Sequence, residues 1–217
     1  MQILLVAATA AEITPFTETN DRIDVLVTGV GTPSAIYHLQ KRIQQVDYDC
    51  IIQAGIAGSF SDDILPGKVV LVKQDCFADI GFEEKETFTP LFNTELADKH
   101  EYPFTDGWLM NTGPSLQYAN LPSVKAITVN KVSDSELQKQ QYVNAFDAGI
   151  ETMEGAALHY VCLQEHIPFV QIRSISNQVG ERDKTKWKMH EAVENLNKEL
   201  TKLINQLTDL PAGSLTK

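Results

Sequence analysis

The stretch CIIQAGIAGSFSDDILPGKVVLV, residues 50–72, decides the fold class. Two short apolar runs, 50–54 and 68–72, flank a loop carrying Gly55 and Gly58. Both runs are nearly continuous in Ile, Val and Leu rather than alternating with polar residues, the pattern of strands covered on both faces. Working outward, the runs at 3–8, 24–29, 124–129 and 169–176 read the same way. Helical patterns separate them. Thr32 is placed to cap a helix with Pro33 at its first position, and Ile36, Leu39, Ile43 and Val46 then share one face. A second helix starts near Gly155 and runs through Ala157, Leu158 and Val161. The last carries Met189, Val193, Leu196, Leu200, Ile204 and Leu207 as one stripe, expected to dock on the sheet. Strands alternating with helices make an α/β protein. A single domain is expected over 1–210, with a flexible tail at 211–217.

The stretch 81–122 lacks clear periodicity and carries Phe82, Phe88, Phe92, Tyr102, Phe104 and Trp108. A segment of that length is either a lid or binding wall, or an excursion whose aromatics cover a sheet edge.

With 43% hydrophobic and 22% charged residues in a chain of 217, disordered and fibrous classes fall away. No apolar run approaches the ~18 residues of a membrane helix. The N-terminus has no positive n-region, and Glu12 follows its apolar stretch at once, so it reads as a buried strand entering a functional loop and not as a secretion signal. The formal charge of −11 repels phosphate backbones and anionic lipid, which argues against nucleic acid or a membrane surface as partner. Cys50, Cys76 and Cys162 form no CxxC, and no His stands at a zinc spacing. Reduced thiols in a cytoplasmic protein without a metal site are expected.

Glycines follow the strands directly, Gly29 and Gly31 in VTGVGTPSA, and Gly55 and Gly58 in IIQAGIAGSF. They serve either tight turns or the close approach of a ligand to the backbone. The third glycine of a dinucleotide fingerprint is missing, and no GxxxxGK[ST] loop exists. Three polar residues stand at the ends of the first, middle and last apolar elements: Glu12, Glu154 in ETMEGAAL, and Asn177 closing FVQIRSISN. Singly, each has a structural explanation, Glu154 as an acid at a helix N-terminus. Together they suggest a shared site beyond the carboxyl ends of the strands, where open α/β sheets bind ligands.

In this order, MQILLVAATAAE, TGVGTPSA, QAGIAGSFSDDILPGKVVLV, ETMEGAALHYVC and PFVQIRSISN resemble the nucleoside phosphorylase/nucleosidase superfamily over nearly the whole chain. Within it, they are similar to the branch of methylthioadenosine/adenosylhomocysteine nucleosidases and futalosine hydrolases. The resemblance implies a twisted mixed β-sheet flanked by helices. It also implies that Glu12 activates water against the anomeric carbon. Met153 would lie against the ribose face, with Glu154 on its hydroxyls. Ala57 and Gly58 would form the backbone loop beside base and water, and Asn177 would bind the base.

At that last position the adenine-specific nucleosidases have Asp, whereas this chain has Ser176-Asn177. An amide can donate to O6 of a 6-oxopurine and accept from a protonated N7, and a mismatched buried polar group costs ~1–3 kcal/mol. The implied reaction is hydrolysis of futalosine, a hypoxanthine nucleoside of menaquinone biosynthesis. It needs water and a small-molecule nucleoside, but no cofactor or metal. The branch further implies a homo-oligomer. Alternatives are a purine nucleoside phosphorylase, an adenine-releasing nucleosidase, or a nucleoside-binding or storage protein on the same fold. A phosphorylase would need cations that TAAEITPF and GIAGSFSD lack, and a protein without turnover would be expected to lack one acid. Arg173 and His159 read as structural. Lys85, Lys131 and Arg182 are the candidates for the 5′ carboxylate of futalosine, and each reads more readily as a solvated surface charge.

Overall fold

The structure, a computed structural model, describes residues 1–16, 22–85, 87–181 and 183–215. The chain runs through β1 (Ile3–Ala7), a 3-10 segment (Ala10–Phe16), β2 (Ile23–Val27), α1 (Thr32–Ile43), β3 (Cys50–Ser59) and β4 (Val69–Asp75). The pairs β5 (Gly81–Glu84) with β6 (Thr87–Pro90) and β7 (Phe104–Thr105) with β8 (Trp108–Met110) follow. The order closes with β9 (Ser123–Thr128), α2 (Glu136–Phe146), β10 (Ile150–Thr152), α3 (Gly155–Gln164), β11 (Phe169–Gln178) and α4 (Met189–Thr208).

The axis of the fold is β3. One of its edges pairs with β11 along the whole strand. Its other edge is shared: β1 lies parallel to it from Ile3↔Cys50 to Val6↔Gln53, and β10 lies antiparallel to its end, at Ile150↔Ser59 and Glu151↔Gly58. Residues 54–57 fall between these two partners. The pairing then runs from β10 to β9, β4 and back to β11, so five strands form a closed ring, with β2, β1, β8 and β7 extending outside it. Parallel and antiparallel pairs coexist, which is the mixed sheet that the resemblance implies.

Alternation along β1 explains the continuous apolar runs. Ile3 and Leu5 face Leu196, Leu200, Leu203 and Leu207 of α4. Leu4 and Val6 face Leu39 of α1 and Leu158 and Val161 of α3. Each face of the sheet has its own helical cover, so polar residues have no side to occupy.

Several elements differ from the sequence reading. Strand β3 continues through the glycine-bearing segment to Ser59, because β11 and β10 pair with its backbone there. Helix α1 starts one residue early: Gly31 is its N-cap at φ 95°, and Thr32 is already helical. The unforeseen α2, ELQKQQYVNAF, buries only Tyr142 and is started by Ser135, whose hydroxyl accepts from the Gln138 N–H. A helix with so little apolar face leaves no periodic signal.

Within 81–122, β8 extends the sheet on β4. Phe92 packs on Phe104 and Phe104 on Tyr160 at tilted angles, and Trp108 meets Phe146 edge-on at that edge. In the stretch expected as a tail, Leu215 packs into the core cluster under α4, and the Gly213 N–H donates to Asp49. Among the described residues no helix is long and apolar enough to cross a membrane.

The N-terminus of α3 is fixed by a buried polar chain. The Ala156 N–H donates to Thr128 Oγ1 at 2.7 Å, and the Gly155 N–H donates to Thr152 Oγ1 at 3.2 Å. Thr128 donates to the Asp75 carboxyl at 2.9 Å, and Gln171 does so at 3.2 Å. Gly155 has to be glycine, since a Cβ there would lie 2.1 Å from Asp75 Oδ2. Burial pushes the Asp75 carboxyl up to about 7, despite the hydrogen bonds of Thr128 and Gln171 and the charge of Arg173. The folded protein thus holds a proton that the unfolded chain releases at ordinary carboxyl pH. This contribution to stability is complete below that range and is lost as pH rises through about 7. Asp75→Asn should remove this loss, on the order of a few kcal/mol. Thermal unfolding from pH 4 to pH 8 should show a smaller decline for the variant than for the wild type.

Candidate active site

Where β1 leaves the edge of β3, a carboxylate takes its place. The 3-10 segment after β1 turns Glu12 inward, and its Oε1 accepts the Ile56 N–H at 3.1 Å. Its Oε2 accepts the Thr9 N–H and hydroxyl at 2.9 and 3.0 Å. From α4, Asn197 Nδ2 donates to the Glu12 backbone carbonyl at 2.9 Å. Thr9 and Ile56 hold the side chain, and Asn197 holds the backbone that carries it.

Glu154 stands at the N-cap of α3, and its side chain makes no bond to that helix. It reaches α1, where the Gly31 N–H donates to Oε1 at 2.9 Å. That N-terminus favours negative charge. Its other oxygen lies 3.9 Å from Arg173 Nη1. Burial raises the Glu154 carboxyl, Arg173 and the Gly31 N–H oppose the rise, and the charge of Glu12 adds to it. Arg173 is 1% exposed and donates to Gln53 Oε1 at 2.6 Å. Gly55 lies over it, and a Cβ there would stand 2.2 Å from Nη1 and 3.0 Å from Glu12 Oε1. Arg173 thus underlies the site as structural support.

Asn177 comes from β11, where Ser176 is an extra residue between the pairs Ile175↔Ala57 and Asn177↔Gly58. Such a bulge re-aims the side chain that follows it. The Ser176 hydroxyl donates to Asn177 Oδ1 at 2.7 Å, and Asn177 Nδ2 donates to the Gln178 carbonyl at 2.8 Å. The amide is thereby oriented.

Glu12, Ala57, Gly58, Met153, Glu154 and Asn177, the residues singled out in the sequence, all line one cavity of about 350 Å³. Val30, Ile56, Val132, Val179, Trp187, Met189 and Val193 give it apolar walls. The last two belong to the stripe expected to dock on the sheet, whose first turns instead face the cavity. Its polar groups include four carboxylates, Glu12, Glu151, Glu154 and Glu181, and the described lining has no Lys, Arg or His. No described residue of 81–122 lines it. Sequence reasoning missed Glu151, although it opens the quoted ETMEGAAL, and Trp187. The sequence shows neither pairing partner, because β10 is three residues long.

Lys85 is exposed in the β5–β6 turn, and Lys131 is exposed just before Val132. Arg182 lies outside the described residues. His159 is fully buried with Nδ1 3.0 Å from the Leu109 carbonyl and its ring edge-on to Phe169, and burial pulls its imidazole down to about 4. Among the described residues no group of three His, Cys, Asp or Glu side chains could hold a metal ion. The cavity is suited to a neutral ligand that becomes cationic as it reacts: carboxylates face it, a polarised water could sit on Glu12, and an oriented amide can take a leaving group.

A family model described as the phosphorylase superfamily matches residues 12–208. A futalosine hydrolase of Thermus thermophilus is 28% identical over 184 residues, covering 82% of this chain and 80% of that protein. A 5′-methylthioadenosine/S-adenosylhomocysteine nucleosidase of Shewanella sediminis is 30% identical over 168 residues, covering 72% and 70%. Among solved structures, a futalosine hydrolase of Helicobacter pylori superposes with a TM-score of 0.80 at 18% identity, over 94% of this chain and 97% of that one. At that identity the likeness is one of fold.

Arg173→Met should leave Glu154 buried without its countercharge. Breaking a buried pair from one side typically costs ~3–5 kcal/mol. Denaturant unfolding should show a loss of that size, whereas a midpoint within experimental scatter of wild type would mean that Arg173 does not support the site.

Proposed function

The chain belongs to the phosphorylase superfamily, and from that premise we propose that it hydrolyses the N-glycosidic bond of futalosine, releasing hypoxanthine and dehypoxanthine futalosine. The observation that carries this reading is the cavity itself: Glu12, the neighbours Met153 and Glu154, and Asn177 converge there from three separate segments, with no cation among the described lining residues. The futalosine hydrolases among the relatives add to it.

In this reading Glu12 takes a proton from a water aimed at the anomeric carbon. Its two oxygens are held by Thr9 and Ile56, so the carboxylate is oriented before substrate arrives. As the bond to N9 lengthens, positive charge grows on the sugar, and Glu12 and Glu154 face it from a largely apolar enclosure. Fixed charge aimed at developing charge is commonly the largest catalytic term. Glu154 also accepts from the ribose hydroxyls, while Met153 covers the ring. The electron pair of the broken bond passes to the base, which leaves neutral as N7 takes a proton from solvent water, and Glu12 returns the proton it took to solvent, so that one water in all is consumed. Asn177 then donates to O6 and accepts from N7–H.

Water is preferred to phosphate on charge grounds. A phosphate dianion beside Glu12 and Glu154 would meet like charge, while the one guanidinium beneath is engaged with Gln53 and Glu154. The free buried thiols of Cys50, Cys76 and Cys162 support a cytoplasmic setting. Phe82, Leu96 and Tyr102, exposed at 42%, 75% and 55%, offer apolar surface for a homo-oligomer.

Base release from futalosine should run at full rate in phosphate-free buffer and yield the free sugar, while a sugar 1-phosphate as main product would move the reading to a phosphorylase. Glu12→Gln should keep the fold and substrate binding but lose at least ~100-fold in kcat, the usual scale of general-base assistance. Near-normal turnover in that variant would remove Glu12 from the mechanism.

A further inference from the structure

Asn197 is an amide set among the buried leucines of α4. It lies between Leu196 and Leu200 and is 7% exposed. Asparagine is a weak helix former, and a leucine there would leave no polar atom to satisfy. Its Nδ2 donates to the Val193 carbonyl at 2.7 Å and to the Glu12 carbonyl at 2.9 Å. Its Oδ1 is buried with no partner among the described residues, and a buried acceptor left unpaired is costly. The Val193 carbonyl already belongs to the ladder of the helix itself. What the amide adds is the bond to Glu12.

The Glu12 carbonyl has need of such a donor. A 3-10 turn returns the N–H of the third residue onward to a carbonyl, but residue 15 is proline and has none. Ile13, at φ −125° and ψ 32°, breaks the turn at the same place. Beyond Asn197 the two elements part, and Thr14 and Pro15 face His190 and Glu194 across a surface groove. Thr9, which holds Glu12 Oε2, lies three residues away on the same stretch of chain. The carboxylate is tied to the sheet through the Ile56 N–H, and its backbone is tied to α4 through Asn197.

We propose that Asn197 is a positioning residue for the general base: by fastening the Glu12 backbone to α4, it holds the carboxylate where it can reach the attacking water. The inference rests on the reading that Glu12 activates water. A misplacement of about 1 Å at a reacting group can cost on the order of 100-fold in rate, so one bond to the backbone matters to turnover.

The first test is a double-mutant cycle on base release from futalosine. Asn197→Leu keeps the volume and removes the donor and the orphaned oxygen together. Its kcat should fall roughly 10- to 100-fold, with KM within about 3-fold of wild type. In Glu12→Gln no base is left to misplace, so adding Asn197→Leu should lower kcat by no more than ~2-fold further. A merely structural role predicts that the two losses multiply. Multiplying losses, or a single variant with near-normal kcat, would overturn the proposal.

Amide hydrogen exchange gives a second test that needs no turnover. The Ile56 N–H donates to the Glu12 carboxylate, and in Asn197→Leu it should exchange at least ~10-fold faster, the scale of one weakened buried bond. The amides of 50–53, where β3 pairs with β1, should keep their rates. An unchanged rate at Ile56, or equal acceleration throughout β3, would mean that Asn197 does not place the carboxylate. This test stands even if the wild type releases no base from futalosine, the separate outcome that would defeat the substrate reading.

Discussion

Placing a guanidinium in a protein interior costs several kcal/mol unless charge and hydrogen bonds offset it, and the rest of this site is arranged around that demand at Arg173, whose terminal nitrogens are engaged while Nε has no partner among the described residues. Gln53 accepts from it on the neighbouring strand, and Glu154 lies 3.9 Å from it on the cavity side. Gly55 gives up its side chain so that the cation can pass beneath. Its positive charge offsets part of the burial cost of Glu154, which Glu12 would otherwise increase. Two carboxylates can then face one apolar cavity. Without the arginine they would be poor neighbours, because like charges at short range disfavour joint ionisation.

The second constraint is topological. An edge of β3 left open between β1 and β10 exposes backbone N–H groups that must be satisfied. A carboxylate from the segment after β1 satisfies one of them at Ile56. The same gap that ends one pairing and starts another becomes the mouth of a site. The arrangement also explains how side chains far apart in sequence reach one place. Residues at the ends of β1, β10 and β11 need only be neighbours across β3.

Charge and hydrogen bonding divide the cavity. In the proposed reading the acidic side, Glu12 and Glu154, faces the sugar, where positive charge develops, and Asn177 faces the base, where donors and acceptors must be matched and not merely attracted. A helix N-terminus at Gly31 and a hydroxyl at Ser176 hold the two sides in orientation. Preorganisation of this kind spares the reaction the cost of turning dipoles as charge moves.

The α/β class, the two-sided strands and the two long helices were legible in the chain. Burial on both faces leaves its mark locally, as runs such as ILLVA and CII with no polar alternation. Glu12, Glu154 and Asn177 were legible for a related reason: a charged or amide group directly beside a buried strand is conspicuous, and the ordered motifs around them resemble a known superfamily. Pairing was not legible. β10 has three residues and α2 buries one, too few to carry a period. Glu151 joins the cavity lining only when β10 closes the ring beside Gly58. Local sequence records which faces of an element are dry, because that depends on the side chains of the element itself. Which strand lies beside which depends on contacts between distant segments, and these are formed only when the chain folds.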